Sequence, residues 1–188
     1  VAGRLGTDAV RLATEFLPAT GAAQQSLVLL HGWGSTRDVW RPLLPALRRW
    51  ADVTLVDIPG LAPAAGDDLP ALEALLEAIA AAAPPQACYL GWSLGGQLAA
   101  AFCARHPDRV IALVTLCSNP CFVAQPDWPG RPAAELAGFR DTCRADPQRA
   151  LRRFDSLQVA GADSPRPLWR QLQAGRASVS GQILAAGL

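Results

Sequence analysis

The stretch Gly91-Trp92-Ser93-Leu94-Gly95 constrains this chain more than any other. It follows the apolar run Ala87-Cys88-Tyr89-Leu90 and leads into a stretch, Leu94 to Arg105, that reads as a helix. A strand that turns at once into a helix leaves little room for side chains around the bend. In a Gly-x-Ser-x-Gly pentapeptide the flanking glycines supply that room, and the serine is lifted to the apex with its hydroxyl above the sheet. The helix N-terminus then faces any negative charge that develops there. Ser93 is the candidate nucleophile, and the competing reading is a purely structural strand-to-helix turn.

The surroundings fit that bend. Three other apolar runs have strand character: Ser26–Leu30, Val53–Val56 and Val110–Leu116. Helical patterns are expected near Val39 to Arg49, from Ala71 to about Ala82, and over Leu94–Arg105. Strands alternating with helices predict a mostly parallel α/β sheet, and near-continuous apolar strands predict cover on both faces. Ala9–Phe16 is expected as an antiparallel edge strand. After Asn119-Pro120 no strand is evident. Short helices are predicted at Pro132–Ala145, Pro147–Val159 and Pro165–Ala174, each opening on a proline, which suits the first helical position. We therefore expect a core over residues 1–120 and a helical lid over 121–188.

A second motif, His31-Gly32-Trp33-Gly34, directly follows the strand Ser26–Leu30. Acyl transfer needs two backbone N–H donors for the oxyanion. One is expected from Leu94, the residue after the nucleophile, and the other from the loop after an early strand, where Trp33 is the candidate. Trp33 would also offer a flat apolar wall to an acyl chain. The alternative is a tight turn with Trp33 in the core.

Composition removes other classes. Hydrophobic residues make up 51% of the chain and the formal net charge is +1, which fits neither a disordered nor a nucleic-acid-binding protein. All 17 basic residues are arginine, which we read as compositional bias. The 5 cysteines form no CxxC pair and there are only 2 histidines, so no metal site, cofactor or disulfide framework is expected. The most apolar helix candidate, Leu72 to Ala83, carries Glu73 and Glu77, and reads as amphipathic and not membrane-spanning. The first residues lack the features of an export signal, so a cytoplasmic location is expected.

With HGWG, VDIPG and GWSLGG in this order, the chain resembles the α/β-hydrolase superfamily. The runs GWSLGGQLA and HPDRVIALVTLCSNPCF, and the later WPG, LAGF and RRFDSLQ, more closely resemble the pimeloyl-(acyl-carrier protein) methyl ester esterases of biotin synthesis. That likeness extends from about His31 to the C-terminus. It implies hydrolysis of the methyl ester of a pimeloyl chain held on acyl carrier protein, by a monomer acting without a cofactor. It also implies a substrate-binding stretch of Phe154, Asp155, Ser156, Leu157 and Gln158, with Phe154 and Leu157 lining an acyl tunnel beside Trp33; by pattern alone those two are more often lid core. Trp128 and Trp169 read as packing residues. One departure is Leu61-Ala62-Pro63-Ala64, where relatives often place a second glycine and a small polar residue.

Arg149 and Arg153 are spaced i, i+4 on one predicted helix, as are Arg166 and Arg170 on the next. By resemblance these four belong to a carrier-binding lid. By pattern alone they form an ordinary solvated helix face. Arg152 is expected on a different face.

The remaining question is what activates Ser93. The hydrolase order is serine, then acid, then histidine. His31 precedes Ser93, and His106 is more than two turns down the following helix. Cys117-Ser118-Asn119 offers no carboxylate after the strand Val110–Leu116, and Asp57 reads as a turn residue. The expectation is an N-terminal portion of a hydrolase, ending within or just after its lid, with the later strands that carry the acid and base absent. The rival functions are another esterase, lipase or haloperoxidase of the same fold, and a non-catalytic carrier-binding module.

Overall fold

The computed structural model describes residues 10–59, 69–176 and 178–188. The Leu61–Ala64 departure and the start of the expected edge strand lie outside them. The described strands form one sheet in the order β1-β3-β2-β4-β5: β1 (Ala13–Leu17), β2 (Gln25–Leu30), β3 (Ala51–Asp57), β4 (Ala87–Trp92) and β5 (Val110–Leu116). The last four run parallel, and β1 pairs antiparallel with β3 at the edge. The expected Ala9–Phe16 strand thus appears at Ala13–Leu17, the stretch whose alternating burial suits an edge that faces water on one side.

Burial explains which strands are central. Val28, Leu29 and Leu30 of β2 and Val53, Leu55 and Val56 of β3 are buried, as continuous apolar runs require when both faces are covered. One face packs on α2 (Leu72–Ala82) and α3 (Leu94–Arg105), with Leu75, Ile79, Leu98 and Phe102 against Val28, Val56 and Tyr89. The other face packs Leu27, Leu29, Val53 and Leu55 against Trp40 and Leu44. The helix expected near Val39–Arg49 is instead a 3₁₀ segment, Arg37–Leu43, followed by a single turn, α1 (Leu44–Leu47). Pro42 and Pro45 break this stretch: each lacks the N–H that a continuous α-helix would need.

Beyond β5, the described residues form α4 (Ala133–Ala145), α5 (Pro147–Gln158), α6 (Pro165–Ala174) and α7 (Gly181–Ala186). The first three match the helices expected there. The fourth, which the sequence pattern did not signal, is a six-residue helix capped by the Ser180 hydroxyl on Ile183 N–H at 3.4 Å. It packs on α4 and buries Ile183, Leu184 and Ala185. The outer strand β5 leaves Ile111, Leu113, Val114 and Leu116 exposed. Among the described residues, no helix is long and apolar enough to cross a membrane.

Candidate active site

The strand order places the site. From β2 the chain passes to β3 on one side, while β4 lies on the other, so connections diverge between β2 and β4. In open parallel sheets the crevice at the carboxyl ends of such a pair is where ligands bind. The two sequence motifs leave the sheet at this point, and the register that pairs Leu30 with Gly91 sets them side by side.

Ser93 has φ 54° and ψ −118°, a backbone conformation that a residue with a Cβ seldom adopts. Packing holds it there. A Cβ on Gly95 would run into the carbonyl oxygens of Leu30 and His31, and one on Gly91 would meet the backbone of Gly95. Ser93 N–H donates to Leu116 O at 2.8 Å, and its carbonyl accepts from Gly96 N–H at 2.9 Å. That carbonyl also accepts the Ser118 hydroxyl at 2.7 Å. The end of β5 thus grips the bend on both sides of its apex, a role for Ser118 that sequence reading missed. Leu94 opens α3, so its N–H has no carbonyl one turn back within the helix.

On the β2 side, Gly32 to Ser35 form a turn closed by Ser35 N–H on Gly32 O at 3.3 Å. Trp33 and Gly34 are its central residues, and Gly34 sits at φ 64°. The turn touches the elbow: a Cβ on Gly32 would contact the Trp92 ring at 2.9 Å. Trp33 is 4% exposed. Its ring stands edge-on to Phe154, with centroids 5.1 Å apart, and tilted against Phe139 at 5.6 Å. Phe139 is a member of this aromatic group that sequence reading missed.

His31 is fully buried. Its Nε2 accepts Ile58 N–H at 2.9 Å, which puts the ring proton on Nδ1, and Nδ1–H donates to Gly32 O at 2.9 Å. Burial holds the imidazole below its ordinary range, more strongly than the Gly32 carbonyl and Asp57 raise it. The neutral ring therefore braces the turn and has no free nitrogen to act as a base. Asp57 accepts Arg37 N–H at 2.7 Å, the turn role its sequence position suggests. His106 caps the far end of α3, about 18 Å from its start at 1.5 Å per residue, and approaches Glu77 at 3.6 Å.

In the helical segment Phe154 packs on Trp33, whereas Leu157 is 64% exposed. Asp155 is fully buried and paired with Arg176. Gln158 donates to Asp155 at 3.4 Å, and Ser156 is exposed with its hydroxyl on Arg152 O at 2.9 Å. Arg149, Arg153, Arg166 and Arg170 are all exposed. Arg152 is exposed too and lies about 60° around α5 from Arg149, so it shares the solvent face and not a separate one. Arg166, Arg170, Val159, Pro165 and Trp169 line a shallow groove of about 350 Å³. Trp128 packs as expected, donating its indole N–H to Cys121 O at 2.7 Å. Among the described residues, no group of three or more His, Cys, Asp or Glu side chains could hold a metal ion.

The family described as alpha/beta hydrolase fold matches residues 25–187. The chain is 42% identical over 176 residues to the pimeloyl-(acyl-carrier protein) methyl ester esterase of Edwardsiella ictaluri, covering 92% of this chain and 68% of that protein. It belongs to this esterase family of α/β hydrolases. The family's Klebsiella pneumoniae member is 44% identical over 153 residues, covering 81% of this chain and 60% of that protein. The chain thus spans between 60% and 68% of the length of these two esterases. Among solved structures, an esterase from Exiguobacterium antarcticum superposes with a TM-score of 0.80 at 19% identity, covering 96% of this chain and 69% of that one. A hydrolase from Oleispira antarctica superposes at 0.76 with 19% identity, covering 93% and 66%.

Proposed function

We propose that this chain carries the nucleophile, oxyanion site and lid of a serine carboxylesterase acting on the methyl ester of pimeloyl-(acyl-carrier protein) in biotin synthesis. The observation that carries the reading is the backbone of Ser93: a non-glycine residue at φ 54°, at the strand-to-helix bend beside the switch point of the sheet. Such strain persists where surrounding packing imposes it and clusters at active sites. The likeness to esterases that carry this name supplies the substrate.

In this reading residues 1–120 form the core and 121–188 the lid, whose half-buried aromatic pair Phe139 and Phe154 meets Trp33. The Ser93 hydroxyl oxygen bonds to the ester carbonyl carbon while a base takes its proton. The amides of Leu94 and Trp33 receive the oxyanion. The departing methoxide takes up that proton and leaves as methanol, and water then cleaves the acyl-enzyme to the free carboxylate and regenerates the serine. Neither histidine of the 188 residues serves as the base, since His31 is fully engaged and His106 is distant. The base and its acid partner are assigned to the part of the esterases' length that these residues do not span. The exposed arginines of α5 and α6 form the surface for an acidic carrier protein.

The test uses the native-length protein. Hydrolysis of methyl pimeloyl carrier protein that disappears in Ser93→Ala supports the reading, and undiminished turnover in that variant ends it. The engagement of His31 and the distance of His106 from the bend favour a second reading, a carrier-binding module without chemistry. A fluorophosphonate that labels wild type but not Ser93→Ala excludes that module.

A further inference from the structure

The turn that presents Trp33 is held from two directions. His31 braces it from the core, as described above. From the other side comes Arg176, the second residue after α6. Its Nη1 donates to Gly34 O at 2.9 Å. Its Nε donates to Asp155 at 2.8 Å, and Nη2 lies against the other carboxylate oxygen of Asp155. Asp155 also accepts from Gln173 and Gln158. The main chain reinforces the grip, because Arg176 forms an antiparallel bridge with Ser35. Gly175 O takes both the Thr36 N–H at 2.8 Å and the Thr36 hydroxyl at 3.1 Å. A Cβ on Gly34 would meet Arg176 Nη1 at 2.8 Å, so the glycine is what allows the guanidinium this near.

This is a demanding way to join two surfaces. An apolar contact would dock the segment without burying two charges. The guanidinium does what an apolar contact cannot: its planar fork spans a carboxylate on α5 and a carbonyl in the turn at fixed geometry. We propose that Arg176, oriented by Asp155, is a positioning residue that sets the Gly32–Ser35 turn, so that docking of the helical segment and alignment of the Trp33 amide are a single event. The proposal deepens the preceding reading and rests on its assignment of that amide to the oxyanion.

The informative variant is Arg176→Lys in the native-length protein. An ammonium still balances Asp155 but is a point charge without the fork. The double variant Asp155→Asn/Arg176→Gln removes both charges and leaves none unpaired. Each is measured for kcat and KM on a short acetyl ester and on the carrier-bound ester, together with amide hydrogen exchange at residues 32–36. The expected result is a fall in kcat of about ten- to a hundredfold on both esters. KM stays within twofold and the turn amides exchange at least tenfold faster. A fall confined to the carrier ester would assign Arg176 to substrate docking and overturn the proposal. So would kcat within twofold of wild type. If Ser93→Ala shows that wild type has no serine-dependent turnover, the preceding reading fails on its own, and exchange then decides the clamp: unchanged protection at residues 32–36 overturns it.

Discussion

The indole N–H of Trp33 donates to the carbonyl of Leu184 at 2.9 Å, joining the turn after β2 to α7 across 151 positions of sequence. Both residues are buried. Trp33→Phe preserves an aromatic ring beside Phe154 but leaves that carbonyl without its donor, at a cost of about 1–3 kcal/mol. Trp33→Ala also opens a cavity and costs about 3–5 kcal/mol. Urea unfolding measures both, and a Trp33→Phe variant as stable as wild type would show the bond to be idle.

His31 links folding to pH. Burial holds its folded-state pKa below the ordinary 6.5, so the unfolded chain takes up a proton that the folded chain refuses. The contribution to stability is fully present above pH 6.5 and is lost as pH falls through and below that value, by up to about 1.4 kcal/mol per pH unit. Unfolding midpoints between pH 7.5 and 5 should fall more steeply for wild type than for His31→Asn. Parallel slopes would contradict this account.

Arg109 tethers the end of α2. Its Nη2 donates to Ala80 O at 3.0 Å, Ala83 O at 3.2 Å and Pro84 O at 3.0 Å, and its Nε to Pro85 O at 2.8 Å. These include carbonyls that a helix C-terminus leaves unpaired. The site is partly exposed, so Arg109→Ala should cost about 1–2 kcal/mol, and Arg109→Lys, without the fork, somewhat less. Thermal unfolding reads the difference.

Two helical glycines should answer substitution with opposite signs. Among the described residues, nothing lies within 4 Å of where a Cβ would sit on Gly138 in α4, and Gly138→Ala should stabilise by about 0.5–1 kcal/mol. Gly96 in α3 faces Ser118, whose hydroxyl and Cβ a new methyl would strike. Gly96→Ala should displace Ser118 from the Ser93 carbonyl, destabilise by about 1–3 kcal/mol and lower esterase turnover. Chemical denaturation of both variants, with turnover measured alongside, checks the contrast.

The proposed carrier surface would have an electrostatic signature. Reversing Arg149 and Arg153, or Arg166 and Arg170, to glutamate should lower kcat/KM for a carrier-bound ester about tenfold at low salt. Turnover of a small ester should stay within twofold. Added salt should shrink the difference, and a loss shared equally by both esters would count against a docking role. Arg152 is a poor control, because it shares the solvent face with its neighbours.

Much of this was legible in the chain because it is local. The strand Val110–Leu116 and the helices Leu94–Arg105 and Pro165–Ala174 begin and end where apolar runs, glycine and proline say they should. The bend at Ser93 was readable because its glycines have a steric purpose on the spot. What escaped reading depends on long-range pairing. Asp155 and Arg176 are 21 positions apart with no periodic relation, and only the docked segment makes one buried unit of them. Phe154 sits on the edge of the buried face, and three residues later Leu157 already reaches water, a difference that helical spacing alone does not announce. α7 is too short for its periodicity to register, and its stability comes from α4.

The left-handed seat of Ser93 carries a conflict within it. Glycine would rest there without strain, sparing roughly 1–3 kcal/mol, and would chemically be inert. With Ser93 as the proposed nucleophile, the sturdier version of this polypeptide is a dead one. Selection for robustness alone would erode the serine first, so libraries built to find heat-tolerant variants should hold this position fixed.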